Sequence, residues 1–225
     1  MVRVYELLKA YPNMSRRLQC GDLMFTQYDC PQTERKAKFY VEQHAIAYVI
    51  SGKRVLHKNK KKWILDTGTC VLIKKGTHIS EIEGEPGWCV MTFFMPDHFL
   101  KRLISQNQKN LPALNHQEAD VDHILPLHVN DICQSFFTSM MSYFAQEIPP
   151  PENLLELKFK ELVLSLVFEK QNQRLLAYLK NLSDNKYPSL EDVVRNNYTS
   201  DTRGLRQPRL HERPHLQARI QKGLP

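Results

Sequence analysis

Between residues 22 and 95, β-branched and aromatic residues gather in runs of four to eight, each bounded by Gly, Pro, Asp or charged residues. That punctuation predicts short strands at 24–28, 45–50, 54–57, 63–65, 70–73, 79–82 and 88–95. Turns are expected at Ser51-Gly52, across the lysine-rich stretch 58–62, at Asp66-Thr67-Gly68, before Gly76 and across 83–87. Apolar and polar residues alternate in Ile79-Ser80-Glu81-Ile82, as a half-exposed strand requires. At least six short strands at a spacing of about ten residues favour antiparallel pairing in a sandwich or barrel.

After Pro96 the apolar period lengthens from two to about 3.6, which marks a change to helices. Asp97 is the expected cap of a short helix carrying Phe99, Leu100, Leu103 and Ile104, followed by a polar connection at 105–110. Asn130 or Asp131 caps a second helix with Ile132, Phe136, Phe137, Met140, Met141 and Phe144 on its inner face, ended by three prolines at 149–151. A third begins at Glu152, and its Leu154, Leu155, Leu157, Phe159, Leu162, Val163, Leu166 and Val167 form a stripe broader than one core contact needs. Either a partner subunit or the protein's own core would cover the excess. A fourth, short helix at 174–180 supplies Leu175, Leu176 and Leu179. Helices segregated after strands make an α+β chain.

The chain has 225 residues, 42% of them apolar and 24% charged, an ordinary globular balance with enough length for a sizeable core. Its longest apolar stretches, such as 163–168, fall well short of the roughly 20 residues that span a bilayer. No secretory signal opens the chain, and the five cysteines are scattered without a C-x-x-C pair, so reduced thiols and a cytoplasmic location are expected. The net charge of +7 is uneven: residues 201–225 hold six Lys and Arg against two acids. That tail, with prolines at 208 and 214 and no sustained period, is expected to be disordered. The nearly neutral body does not suggest a phosphate-binding surface.

The candidate chemistry is sparse. His44, His57 and His78 lie in the strand region, and a barrel that brought them together would make a metal site, and with it a cupin metalloenzyme as the alternative reading. The cupin metal pattern, two histidines one residue apart with a nearby Glu, is incomplete: Glu42-Gln43-His44 has one His, and Lys74-Lys75-Gly76-Thr77-His78 lacks the usual proline and spacing. They are therefore read as ordinary polar residues, with no metal or cofactor expected. No phosphate loop, G-x-S-x-G or reactive cysteine context is present, so no catalytic residue is assigned and the chain is not read as an enzyme. The lysines at 58 and 60–62 are read as solvated turn residues that protect a sheet edge, ahead of a nucleic-acid contact.

The order of elements resembles the N-terminal regulatory half of an AraC-family transcription regulator, most of all the branch that activates type III secretion genes. The residues that carry the likeness are Tyr48-Val49-Ile50-Ser51-Gly52, the run from Gly68 to Gly76, the run from Leu157 to Leu164, and the run from Leu190 to Tyr198. The resemblance covers about residues 20–200. It implies a cupin-like antiparallel β-barrel over 1–96, a helical dimerisation part of the same domain over 97–182, and a linker with the start of a helix-turn-helix domain over 183–200. It also implies a homodimer, formed through Leu154, Leu155, Phe159, Leu162 and Leu166 of the third predicted helix. A small-molecule effector or an inhibitory protein would be the regulatory input. The likeness breaks off at Asp201, and back-translation in the neighbouring reading frame permits a helix-turn-helix-like string there. The tail 201–225 is thus expected to be a frameshift product, leaving no intact DNA-binding residues unless that C-terminal domain is restored.

Overall fold

The computed structural model describes residues 2–11, 15–29, 34–58, 60–83, 87–114 and 122–184. The chain divides into two units, Met1–Lys186 and Tyr187–Pro225, and the second lies outside the described residues. The expectations about the start of a helix-turn-helix domain, the Leu190 to Tyr198 motif and the basic tail fall there.

In chain order the elements are β1 (Val2–Arg3), α1 (Val4–Ala10), β2 (Arg16–Cys20), β3 (Leu23–Asp29), β4 (Lys36–Val41), β5 (His44–Gly52), β6 (Arg54–Lys58), β7 (Lys61–Leu65), β8 (Cys70–Ile73), β9 (Gly76–Ile82) and β10 (Trp88–Met95). There follow α2 (Asp97–Asn107), β11 (Ile124–Leu127), α3 (Asp131–Phe144), α4 (Glu152–Phe168), a 3-10 turn (Lys170–Asn172) and α5 (Gln173–Ser183). The strands form a five-stranded sheet, β1-β4-β9-β6-β7, and a six-stranded sheet, β11-β8-β5-β10-β3-β2. Every pairing is antiparallel except the short parallel contact of β1 with β4. The result is α+β, with a cupin-like arrangement of two facing sheets and helices packed outside one of them. Among the described residues no helix is long and apolar enough to cross a membrane.

The strand period of two explains how the six-stranded sheet serves two cores at once. In β5, Ala45, Ala47 and Val49 join the interior cluster with Val71 and Ile73 of β8 and with Val90 and Phe94 of β10. The alternate residues face the helices: Tyr48 stacks on Phe137 of α3 at 4.0 Å between centroids, Phe93 meets Phe136 and Phe137, and Phe25 of β3 lies 3.7 Å from Phe159 of α4. Burial on both faces makes these strands read as continuous apolar runs, which is why they are visible in the sequence. Gly52 closes β5 at φ 87°, and a Cβ there would meet the Gly87 carbonyl oxygen at 2.1 Å, so any side chain would force β5 and β10 apart.

Four strands and α1 went unpredicted. β4, Lys-Ala-Lys-Phe-Tyr-Val, carries lysines on its exposed face, and β2 buries only Leu18. β11 contains Pro126, tolerated because β11 pairs with β8 alone, at the sheet edge. The lysine-rich turn is narrower than expected, since Lys58 and Lys61 pair at the ends of β6 and β7 and Lys60 turns the chain with a φ of 67°. Asn130 caps α3, its side chain accepting from Cys133 N at 3.0 Å. Pro96, not Asp97, occupies the cap of α2, and Ile132 and Met141, expected on the inner face of α3, lie on its solvent side.

Candidate functional site

Between the two sheets lies a cavity of about 430 Å³, within the range of small-molecule sites. Two inward positions of β5, Ala45 and Ala47, hold only methyl groups, beside Phe94 of β10 and across from Leu56 and Leu65 of the other sheet, which leaves space between the sheets. Val2, Leu7, Glu34 and Lys38 line it from β1, α1 and the neighbourhood of β4. The N-terminal segment is anchored there: Arg3 Nε donates to Glu42 at 3.1 Å, and Tyr5 N to the same carboxylate at 3.2 Å.

Besides Glu34 and Lys38, which are exposed, the lining includes a buried charged side chain, Arg54, 2% exposed, at the start of β6. Its Nη1 donates to the Lys53 carbonyl at 3.2 Å and its guanidinium lies 5.7 Å from the centre of the Trp88 ring, while its Nε has no hydrogen-bond partner. The sequence reading missed this residue. The signal was there in the alternation, which places Arg54 on the same face of β6 as Leu56, an inward position.

The three histidines weighed as metal ligands are held by different neighbours, and among the described residues no three His, Cys, Asp or Glu side chains converge. His57 Nε2 lies 2.8 Å from Glu81. His44 is buried where β5 meets the helices: its Nε2 hydrogen-bonds the Tyr178 hydroxyl of α5 at 3.3 Å and lies 3.2 Å from Asp97 Oδ1, which itself makes no hydrogen bond. Burial lowers the pKa of His44, partly opposed by Asp97. Burial alone would raise that of Asp97, but His44 and Lys75 outweigh it and hold the carboxyl well below its ordinary value, with Lys75 Nζ 2.5 Å from Oδ2.

His78 stacks on Phe39 and its Nε2 lies 2.9 Å from the Lys74 carbonyl, so Nε2 carries the hydrogen and Nδ1 is left without a partner. Burial pushes its pKa down to about 4, and nearby Lys58 and His123 add to the effect. An unfolded imidazole titrates near 6.5, so the unfolded chain takes up this proton first as pH falls. The stabilisation is complete above that value and is lost as pH drops toward 4, about 2 kcal/mol of it by pH 5. His78→Gln, which keeps a donor and removes the titration, is expected to flatten the fall between pH 7 and 5 in urea unfolding. An unchanged slope would show that His78 is not its source.

Of the residues expected to dimerise the chain, Leu155, Phe159, Leu162 and Leu166 are turned into the protein's own core, 0 to 2% exposed, and only Leu154 is half-exposed. The apolar side chains that α4 leaves at the surface are Leu157 and Phe168, with Leu154 and Leu164 half-buried alongside. At 100° per residue these four share one side of the helix, interrupted by Glu161. The lysine hairpin is tied down in part: Lys61 and Arg174 both bind Asp122, at 2.5 and 2.8 Å.

Two sheets enclosing a cavity, with a helical layer on the back of one of them, make a cupin-like α+β domain. The chain belongs to the ExsA N-terminal regulatory domain family, whose model matches residues 44–178. No curated protein matches the sequence. Among solved structures, an apo variant of ToxT from Vibrio cholerae is 13% identical and covers 82% of this chain and 67% of its own, with a TM-score of 0.51. ToxT bound to (E)-4-(8-methylnaphthalen-1-yl)but-3-enoic acid is 15% identical, covering 82% and 73%, with a TM-score of 0.49. An RmlC-like cupin with a double-stranded β-helix fold from Methanocaldococcus jannaschii is 13% identical, covering 36% and 78%, with a TM-score of 0.32. The chain spans 58% of the length of a further ToxT structure, that of the P21 form.

Proposed function

We propose that the chain is the sensing and pairing part of a transcription regulator: the barrel cavity receives a small, largely apolar effector, and the exposed side of α4 pairs two copies. The observation that carries this reading is the double use of the six-stranded sheet. Ala45 and Ala47 line the cavity while Tyr48, between them and α3, stacks on Phe137 and donates to Gln134 at 2.9 Å. A ligand that displaces β5 is thereby linked to α3, since packed side chains transmit shifts. Leu157 and Phe168, 58% and 49% exposed, give α4 an apolar surface suited to a second copy.

Filling the cavity tests the sensing role. Hexanol, decanol, hexanoate, decanoate and indole are screened by their effect on the melting temperature of the full chain and of Ala47→Phe. At least one is expected to raise Tm in the wild type and not in the variant, as selective binding to the folded state requires. If none separates the two proteins, the cavity is not a receptor.

A further inference from the structure

We propose that His44, Asp97 and Tyr178 form a proton-operated latch, in which α5 docks on the barrel only while His44 is uncharged. The latch does not depend on what the cavity holds. Its three side chains come from three elements: His44 opens β5, Asp97 begins α2 and Tyr178 lies within α5. The rest of the face that α5 buries is apolar, made of Leu175, Leu176, Ala177, Leu179 and Leu182, so Tyr178 brings the polar group to that contact. His44 is 1% exposed, and a ring so deeply buried must find its partners within the protein.

The hydrogens of the ring decide which state docks. His44 Nε2 lies 3.3 Å from the Tyr178 hydroxyl and 3.2 Å from Asp97 Oδ1, and one ring nitrogen offers either a hydrogen or a lone pair. Oδ1 makes no hydrogen bond, so Nε2 accepts from the Tyr178 hydroxyl and the ring hydrogen sits on Nδ1. A second proton turns Nε2 into a donor. It then serves the charged Oδ1, and the hydrogen bond that Tyr178 gave is lost.

The groups around the ring set the balance. Asp97 favours the extra proton but is already held by Lys75 at 2.5 Å, while Lys74 Nζ lies 4.0 Å from the centre of the Tyr178 ring. Across the sheet His44 pairs with Met95 of β10, which adds no charge. Burial, the largest influence, lowers the pKa of His44, and both lysines add to it against Asp97. An exposed imidazole titrates at about 6.5, so docking of α5 is fully favoured above that pH and weakens as pH falls toward the lowered value. α5 is the last described helix before the chain passes to its second unit at Tyr187, so the latch acts on the helix that leads there.

Amide exchange of the full chain at pH 7 and pH 5, expressed as protection relative to the unfolded rate at each pH, reads the latch. The parent carries His78→Gln, which removes the other buried imidazole described above, and is compared with the same chain bearing His44→Gln or Tyr178→Phe. Residues 173–183 of the parent are expected to lose about tenfold or more of their protection between the two pH values, the scale of one proton taken up on opening. β5 and β10 keep theirs. In His44→Gln, whose amide can accept from Tyr178 and donate to Asp97 without titrating, the loss disappears. Tyr178→Phe lowers the protection of 173–183 already at pH 7. Equal losses in helix and strands, a loss that persists in His44→Gln, or a Tyr178→Phe helix as protected as the parent's each overturns the latch. Nitrogen-15 NMR of the wild-type His44 ring at pH 7 tests the docked state without any substitution: Nε2 free of hydrogen is expected, and a hydrogen there overturns the proposal.

Discussion

Asn172→Asp is expected to destabilise the protein by about 3–5 kcal/mol, the cost of an uncompensated buried charge. Asn172 ends the 3-10 turn between α4 and α5, is 3% exposed, and uses its amide fully. Its Oδ1 accepts from His128 N at 2.7 Å, and its Nδ2 donates to the His128 and Leu166 carbonyls at 3.0 Å each. One side chain therefore ties the exit of β11 to the end of α4. The aspartate keeps the first bond and turns a carboxylate oxygen toward two carbonyl oxygens. Urea unfolding at pH 7 measures the loss, which should shrink in acid as the new carboxyl takes up a proton. A loss under about 1 kcal/mol would mean that the two carbonyls find other donors.

Phe159→Ala and Leu157→Asp, two residues apart on α4, are expected to fail in opposite ways. Phe159 is fully buried, its ring 3.7 Å from that of Phe25 and 6.0 Å from that of Phe99, so truncation should cost about 3–5 kcal/mol. Leu157 is 58% exposed, and a charge there should change monomer stability by only about 0.5 kcal/mol. If α4 pairs two copies through its exposed side, Leu157→Asp weakens association in sedimentation equilibrium while the fold stays intact. If association is unchanged, the pairing surface lies elsewhere.

These residues mark how far the sequence was legible. The doubly buried strands β5, β8 and β10 announced themselves as apolar runs, and α3 and α4 by period and by flanking prolines. β2 and β4 did not, because each has a solvent-facing side rich in charged or polar residues, and β11 did not because it is four residues long and contains a proline. The α4 stripe left open whether a partner or the core covers it, and of the residues named for pairing, Leu155, Phe159, Leu162 and Leu166 lie on its inner side. Spacing alone gives a helix's faces, and which of them meets the core depends on where the helix docks. Asn172 was hidden in a polar stretch that reads as a connection, and Arg54 by its place beside a turn rich in charge. In both cases the functional weight comes from long-range burial, which composition does not report.

The most direct measurement of the central claim is amide hydrogen exchange of the full chain with and without the panel member that raises Tm most. The account predicts slowed exchange in β5 and β10 and also in α3, carried by the stack of Tyr48 on Phe137. Protection confined to the barrel strands, with α3 unchanged, would show that occupation of the cavity does not reach the helices and would contradict a regulatory role for it.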